Sequence, residues 1–395
     1  MDFGKRIGDV QGELKEQNLD GWLLYDFRGS NDLACELLQI SKDSILSRRF
    51  FYWIPKYGDP IKLVHRIENP ISHLPGQTQF YSTWKELEEN LQDLLNGSRT
   101  VAMEYSPRNA IPYVSKVDGG TLEIVRSFGV DIASSADLIQ KYTSVWNEHQ
   151  WESHLKATDL LDQTVAKAWE LISDHLKNGH SITEYDVQQF ILGQFSIHSC
   201  VTHDPPIVAV NNHSSDPHYI PTEEKNSQIQ PGDFILIDLW CKEDLSKAVY
   251  GDISRVGVAS SRPTDRQLEI FHIVKQARDV ATQLVKDRFA AGQKLCGWEI
   301  DQAARDVITQ AGYGEYFIHR TGHNIGESSH GNGANIDNFE TQDQRQILPG
   351  TCFSIEPGIY LPNEFGVRLE YDVYVHPDGK VQVTGGIQNE IVCLN

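Results

Sequence analysis

The sequence predicts a mixed α/β (α+β) chain of two domains. Helix-period and strand-like segments alternate along its whole length, capping boxes mark helix starts between them, and 395 residues make two domains at roughly 150 residues each, one of them large. Hydrophobic residues make up 39% of the chain and charged residues 23%, enough to bury a core and to exclude wholesale disorder.

Phe3, Ile7, Val10 and Leu14 recur at helical spacing and predict a first helix that runs into Asp20-Gly21, ahead of the apolar strand Trp22–Tyr25. Phe50–Ile54 and Ile61–His65 read as a hairpin across Tyr57-Gly58-Asp59-Pro60. Thr83 and Glu86 form a capping box for a helix through Leu95, and Thr100–Met103 is the next strand. At Trp146 the pattern becomes one long polar-faced helical stretch reaching about Leu176, which sets the domain boundary: 1–146 and 147–395. Ser181 with Glu184 predicts a second capping box, for a helix through Phe195. Apolar strands follow at Ile207–Val210, Phe234–Leu239 and Val249–Val258, then helices over Pro263–Phe289 and Trp298–Ala311, the last capped by Gly312. Strands at Cys352–Tyr360, Val367–Val375 and Lys380–Val383 close the chain.

Lys plus Arg number 35 against 55 Asp plus Glu, a net charge of −20. That charge repels phosphate backbones and anionic lipid, which argues against nucleic-acid and membrane partners. The opening residues carry charges every few positions, and no stretch approaches ~20 apolar residues. A cytoplasmic, soluble protein is expected. Its six cysteines are scattered without a CxxC pair and form no disulfide or zinc framework.

Acids are informative where solvent should not reach. Asp238 ends the run Phe234-Ile235-Leu236-Ile237, and Asp252 follows in Tyr250-Gly251-Asp252-Ile253, across a stretch polar enough for a hairpin loop. Two paired strands would bring these acids together. Glu356 in Ile355-Glu356-Pro357-Gly358 and Glu370 in Val367-Arg368-Leu369-Glu370 are further acids in apolar, β-prone frames. A single buried acid is as readily a structural carboxylate, satisfied by Arg or backbone N–H groups. Four in one domain repel one another unless cations sit between them, and two divalent ions would offset four negative charges.

His319-Arg320-Thr321-Gly322-His323 carries two imidazoles four apart, with His330 seven further on. A helical zinc pair is rejected, because the general-base Glu of HExxH is missing and Gly322 and Gly326 make a helix costly. A loop or strand supplying one ligand fits better. His218, in Asp216-Pro217-His218-Tyr219, would by itself be a surface-loop histidine.

These motifs, in this order, resemble the creatinase-like metallopeptidases, the pita-bread group that includes prolidase (Xaa-Pro dipeptidase), aminopeptidase P and methionine aminopeptidase. Asp216–Tyr219 looks like that group's first histidine motif, Gly232–Asp238 and Tyr250–Arg255 like its aspartate motifs, and His319–Gly326, Ile355–Gly358 and Val367–Glu370 like the remainder. The resemblance covers 150–395 well. The first 140 residues resemble the N-terminal domain of the two-domain branch, implying a creatinase-like α/β domain ahead of a pita-bread catalytic domain. Carried over by position, Asp238, Asp252, His323, Glu356 and Glu370 would hold two divalent ions, with Asp252 and Glu370 bridging. His218 and His330 would line the reaction centre, His319 would sit beside the substrate, and Arg368 would stand behind the ligands. The sequence departs from the group in three places. Asp238 and Asp252 are 14 apart, Asn324 stands where glycine is common, and Gly331–Asn335 lacks the group's usual proline.

The implied chemistry is metal-assisted hydrolysis of bonds to proline in short peptides, with Mn, Co or Zn as the ion and a homodimer as the assembly. Glu356 would carry the proton, and His330 and His218 would donate hydrogen bonds to the oxyanion or leaving group. Two alternatives remain. One is hydrolysis of a small non-peptide amide, as in the ectoine hydrolase-like branch. The other is a catalytically inactive binding module, disfavoured because such modules lose the ligands that are present here.

Overall fold

A computed structural model describes residues 6–41 and 43–394, so Phe3 of the predicted first helix lies outside the described residues. The chain divides into two compact units, Met1–Thr143 and Ser144–Asn395.

The first unit contains helices α1 (Ile7–Glu16), α2 (Asp32–Leu37), α3 (Trp84–Leu95), α4 (Gly119–Ser127) and α5 (Ala136–Thr143). Its strands are β1 (Gly21–Asp26), β2 (Phe50–Pro55), β3 (Ile61–His65), β4 (Gln77–Tyr81), β5 (Thr100–Met103) and β6 (Asp131–Ser134). They form one sheet in the order β4-β3-β2-β1-β5-β6, in which β2 alone runs against the others. All of β1 is buried. Trp22 and Leu24 share a core with α1, α2 and α5, while Leu23 and Tyr25 share one with α3 and α4. A strand covered on both faces must be apolar at every position, and the run Trp22–Tyr25 has that character. The Thr83 capping box forms as read: the Glu86 N–H donates to Thr83 Oγ1, and the Thr83 N–H to Glu86 Oε2, both at 3.2 Å.

The second unit holds helices α6 (Glu148–Lys177), α7 (Glu184–Ile197), α8 (Asp265–Ala290) and α9 (Gly297–Gln310). Its strands begin with β7 (Cys200–Val201), β8 (Ile207–Val210), β9 (Phe234–Glu243), β10 (Gly251–Val258), β11 (Asn324–Ile325) and β12 (Cys352–Ile355). They continue with β13 (Gly358–Tyr360), β14 (Gly366–Arg368), β15 (Tyr371–Val375), β16 (Val381–Thr384) and β17 (Val392–Cys393). β9 lies between β10 and β7 and also pairs with β8; a second sheet runs β11-β12-β15-β16, and β13 and β14 form a ribbon. Along β9 the side chains alternate. Ile235, Ile237 and Leu239 pack with α6 and α7, while Phe234 and Leu236 join the core of α8 and α9. No helix among the described residues is long and apolar enough to cross a membrane.

Three expectations are corrected. The second capping box is two residues later than read: Thr183 and Asp186 exchange the cap hydrogen bonds. Glu184 is instead fully buried, accepting from the Val210 and Ser227 N–H groups and the Tyr219 hydroxyl. The strand expected over Cys352–Tyr360 is two strands broken at Glu356-Pro357, and that over Val367–Val375 is broken at Leu369-Glu370. Proline has no N–H for the ladder, so β12 pairs with β15 on one side of the break and β13 with β14 on the other. The short elements α2, α4, α5, β4 and β6 have no strong periodicity and carry no sequence expectation.

Candidate metal centre

The hairpin of β9 and β10 brings the two aspartates together. In its register Asp238 faces Ser254 and Asp252 faces Trp240, so all four side chains leave the same face of the ribbon. The extra residues between the aspartates lie in the 244–250 loop and leave this register intact. His323 comes from the segment ahead of β11, and Glu356 and Glu370 from the two strand breaks. There the Glu356 N–H turns to Thr321 O at 2.8 Å and the Glu370 N–H to Ser254 O at 3.4 Å. The breaks thereby turn Glu356 toward the segment that carries His323 and Glu370 toward β10.

Asp238, Asp252, His323 and Glu370 are each at most 7% exposed. Ligand atoms of Asp252, His323 and Glu370 lie within 4.8 Å of one another. His323 Nε2 stands 3.7 Å from Asp252 Oδ2 and 3.5 Å from Glu356 Oε1. Asp238 is held differently. Arg368 donates to its Oδ2 at 2.5 Å, and the Ser254 hydroxyl lies 2.8 Å from its Oδ1. That hydroxyl is also 2.7 Å from Glu370 Oε2 and accepts from Arg368 Nε at 2.9 Å. A hydroxyl has one hydrogen and faces two carboxylates here, so the cluster lacks a positive charge or a proton.

The electrostatics say the same. Burial, then the charges of Asp238, Asp372 and Glu356, push the Asp252 carboxyl well above the usual range. Burial and the charges of Asp252, Glu356 and Asp238 do so for Glu370. Glu356 is pushed up to about 7, by burial first, with Arg368 opposing. Burial holds His323 well below the usual imidazole value, in the neutral form that offers a lone pair. Buried acids crowded around a neutral imidazole, with Arg368 drawn in among them, fit a divalent ion, which would offset the repulsion.

The histidines outside this cluster differ in character. His330 is exposed, its ring edge-on to His323 with centroids 4.3 Å apart. His218 is exposed too, on a segment tied to Arg368 through Pro217 O at 3.3 Å. Both ring nitrogens of His319 are engaged, Nδ1 with Arg320 O at 2.6 Å and Nε2 with the Tyr360 hydroxyl at 2.7 Å. Burial and the Arg368 charge hold its imidazole down at about 3, so Nδ1 donates to the carbonyl and Nε2 accepts from the tyrosine.

Several residues of the site escaped sequence reading. Ser254 follows Asp252 by two and shares its face, a signal the strand period carries. Tyr360 donates to His319 and accepts from Arg368 at 3.0 Å. Asp372 Oδ2 accepts the Asp252 N–H at 2.9 Å and so anchors the backbone of an acid in the cluster. Trp240 stands opposite Asp252, its buried indole N–H without a partner among the described residues, and His203, whose Nε2 lies 2.9 Å from Asp204 Oδ2, has its ring tilted against it with centroids 6.4 Å apart. No local pattern points to these. The two departures at Asn324 and after His330 prove to be one feature. Asn324 Nδ2 donates to Cys352 O and its Oδ1 accepts from the Gly333 N–H, both at 2.9 Å. A Cβ on Gly331 or Gly333 would come within 2.3 or 2.6 Å of that side chain.

Comparison with known proteins finds relatives of this chain. The model for metallopeptidase family M24 matches residues 152–377. The Xaa-Pro dipeptidase of Lactobacillus helveticus is 36% identical over 214 residues, 54% of this chain and 53% of that protein. The chain thus spans about half the length of this curated relative. Among solved structures, the dipeptidase PepE of Mycobacterium ulcerans superposes with a TM-score of 0.69 at 21% identity, over 99% of this chain and 98% of that one. The prolidase of Thermococcus sibiricus gives 0.63 at 22% identity, over the whole of both. At that identity the structures speak for the fold, which is the α/β, pita-bread architecture expected.

Proposed function

The chain belongs to metallopeptidase family M24, and from that premise we propose that it hydrolyses Xaa-Pro bonds of short peptides with two divalent ions. Asp238, Asp252, His323, Glu356 and Glu370 would hold the ions, with Mn, Co or Zn suited to this carboxylate-rich set with one imidazole. The observation that carries the reading is the convergence of these five side chains, from β9, β10, the segment before β11 and both strand breaks, on one buried and charge-deficient spot. Ions bound there supply Lewis-acid polarisation of the scissile carbonyl and a lowered water pKa.

The chain's own groups do the rest. Glu356 presents Oε1 beside His323 and Oε2 toward Arg368 at 3.9 Å, and we assign it the transfer of a proton to the leaving nitrogen. His330 and His218, exposed at the edge of the cluster, donate hydrogen bonds to the developing oxyanion or leaving group. His319, Tyr360 and Arg368 form a hydrogen-bonded chain that orients Asp238. A bond from Xaa to Pro is a tertiary amide without an N–H, so the site gains nothing from gripping the scissile nitrogen and must protonate it as it leaves. The resemblance also supports a cytoplasmic homodimer.

A substrate panel with and without added Mn tests the reading. The ratio of kcat/KM for Xaa-Pro over the matching Xaa-Ala substrate should reach at least ~10-fold, or ~1.4 kcal/mol of transition-state discrimination. Equal rates on both, or none with metal bound, would favour the non-peptide amide hydrolase instead.

A further inference from the structure

The unit Met1–Thr143 contains a cavity of about 810 Å³ that the proposed hydrolysis does not use. It lies at one end of the six-stranded sheet, where Tyr25 nears the end of β1 and His65 and Tyr81 finish β3 and β4. These strands run in one direction, and Ser47–Arg49 lead into the reversed β2 at the same end. The carboxyl ends of parallel strands are where open α/β sheets bind small ligands, because the connecting segments diverge there. The volume falls within the roughly 300–1,000 Å³ of such sites.

Two kinds of chemistry line it. Trp84 is 62% exposed and Phe27 39%, flat apolar rings left in water at the mouth. Opposite in character are Arg48 and Arg49. The Arg48 guanidinium is turned to Ser47, donating to its O and Oγ at 3.1 and 3.0 Å. The half-buried Arg49 guanidinium has no ion pair or hydrogen bond among the described residues, and its charge reaches the hydroxyls of Tyr25 and Tyr81. The acids at hand are already engaged. Glu68 accepts from the Ser47 hydroxyl at 2.7 Å and the Arg48 N–H at 3.0 Å, and Asp118 from the N–H and hydroxyl of Thr121 at 2.9 and 2.8 Å. The formal charges of Arg48 and Arg49 are matched in number by those of Glu68 and Asp118, so what complements an anion that carries a flat ring is the one guanidinium left without a partner among the described residues, that of Arg49, beside an aromatic wall.

We propose that the cavity binds a small organic anion with a planar ring, its phosphate or carboxylate on Arg49 and Arg48 and its ring against Trp84 and Phe27. A nucleoside monophosphate and an aromatic carboxylate share that chemistry, and the test separates them. Titration calorimetry of the full chain is run in EDTA, so that metal at the acid cluster cannot contribute, with adenosine monophosphate, adenosine, inorganic phosphate and indole-3-acetate. Adenosine monophosphate or indole-3-acetate should bind at least ~10-fold tighter than adenosine or phosphate alone, since ring and anion act together, and the tighter of the two identifies the source. Arg49→Gln and Trp84→Ala should each weaken that binding by ~10-fold or more, while peptide turnover of the metal-loaded enzyme stays at the wild-type level. Absence of binding by both ring anions, or binding unchanged in both variants, overturns the proposal. So does a shift of oligomeric state in sedimentation for Arg49→Gln, which would make the recess a contact between copies of the chain.

Discussion

Arg368 lies 2.5 Å from Asp238, a charge-assisted contact in which a cation of the chain donates directly to a carboxylate of the acid cluster. The same guanidinium donates to Ser254 Oγ at 2.9 Å and to the Tyr360 hydroxyl at 3.0 Å. A lysine is a single point charge and cannot span three partners. We expect Arg368→Lys to lower kcat/KM by about 10–100-fold with metal content, read by elemental analysis, near that of the wild type. A variant that emerges metal-free would mean that Arg368 is needed to build the site, not to orient it.

Asp252 and Glu370 face His323 within one ligand-sized space. Asp252→Asn and Glu370→Gln each remove a negative charge without changing shape, so metal affinity should fall by more than the ~10–100-fold typical of supporting residues, and turnover with it. Chelation of the wild-type protein should abolish activity, and added Mn, Co or Zn should restore it. Full turnover by demonstrably metal-free protein would sink the metal assignment.

His330 meets the cluster through its ring edge against His323. His330→Ala should keep its metal and lose about 10²–10⁴-fold in kcat, the range of a lost proton donor or oxyanion partner. Near-normal turnover in that variant would remove His330 from the mechanism.

Glu104, in the unit Met1–Thr143, is fully buried. It accepts from Trp22 Nε1 at 2.7 Å, Asn31 Nδ2 at 2.8 Å and the Ser135 hydroxyl at 2.9 Å. Burial raises its pKa above the ordinary 4.5 against the pull of those donors. The folded chain therefore keeps this proton to higher pH than the unfolded chain, and the associated stability is present below 4.5 and lost as pH rises through the raised folded value. The melting temperature of the wild type minus that of Glu104→Gln should fall as pH is raised from about 4 to 7. A difference that grows with pH would mean that the three donors outweigh burial.

Much of the fold is legible in sequence because its signals are local. The buried strand Trp22–Tyr25, the Thr83–Glu86 cap and the long helical stretch read from Trp146 each follow from neighbours within one or two turns, and all form, the helix over Glu148–Lys177. The Ser181–Glu184 reading fails for the same reason. Thr183–Asp186 offers an equal local pattern, and what separates them is the burial of Glu184 among Val210, Tyr219 and Ser227, which no short window contains.

The sequence by itself determined which acids would be costly to bury, since each sits in an apolar, β-prone frame, and it ordered them as the M24 family does. Only the tertiary structure decided how they meet. The β9–β10 register puts Asp238 and Asp252 on one face, and the breaks at Pro357 and Leu369 turn two continuous apolar runs into four strands, aiming Glu356 and Glu370 inward. Ser254, Asp372 and Tyr360 join them through contacts spanning as many as 120 residues. A hydrogen bond between segments so far apart depends on the packing of whole sheets, whose energetics are spread over the core and written at no single position.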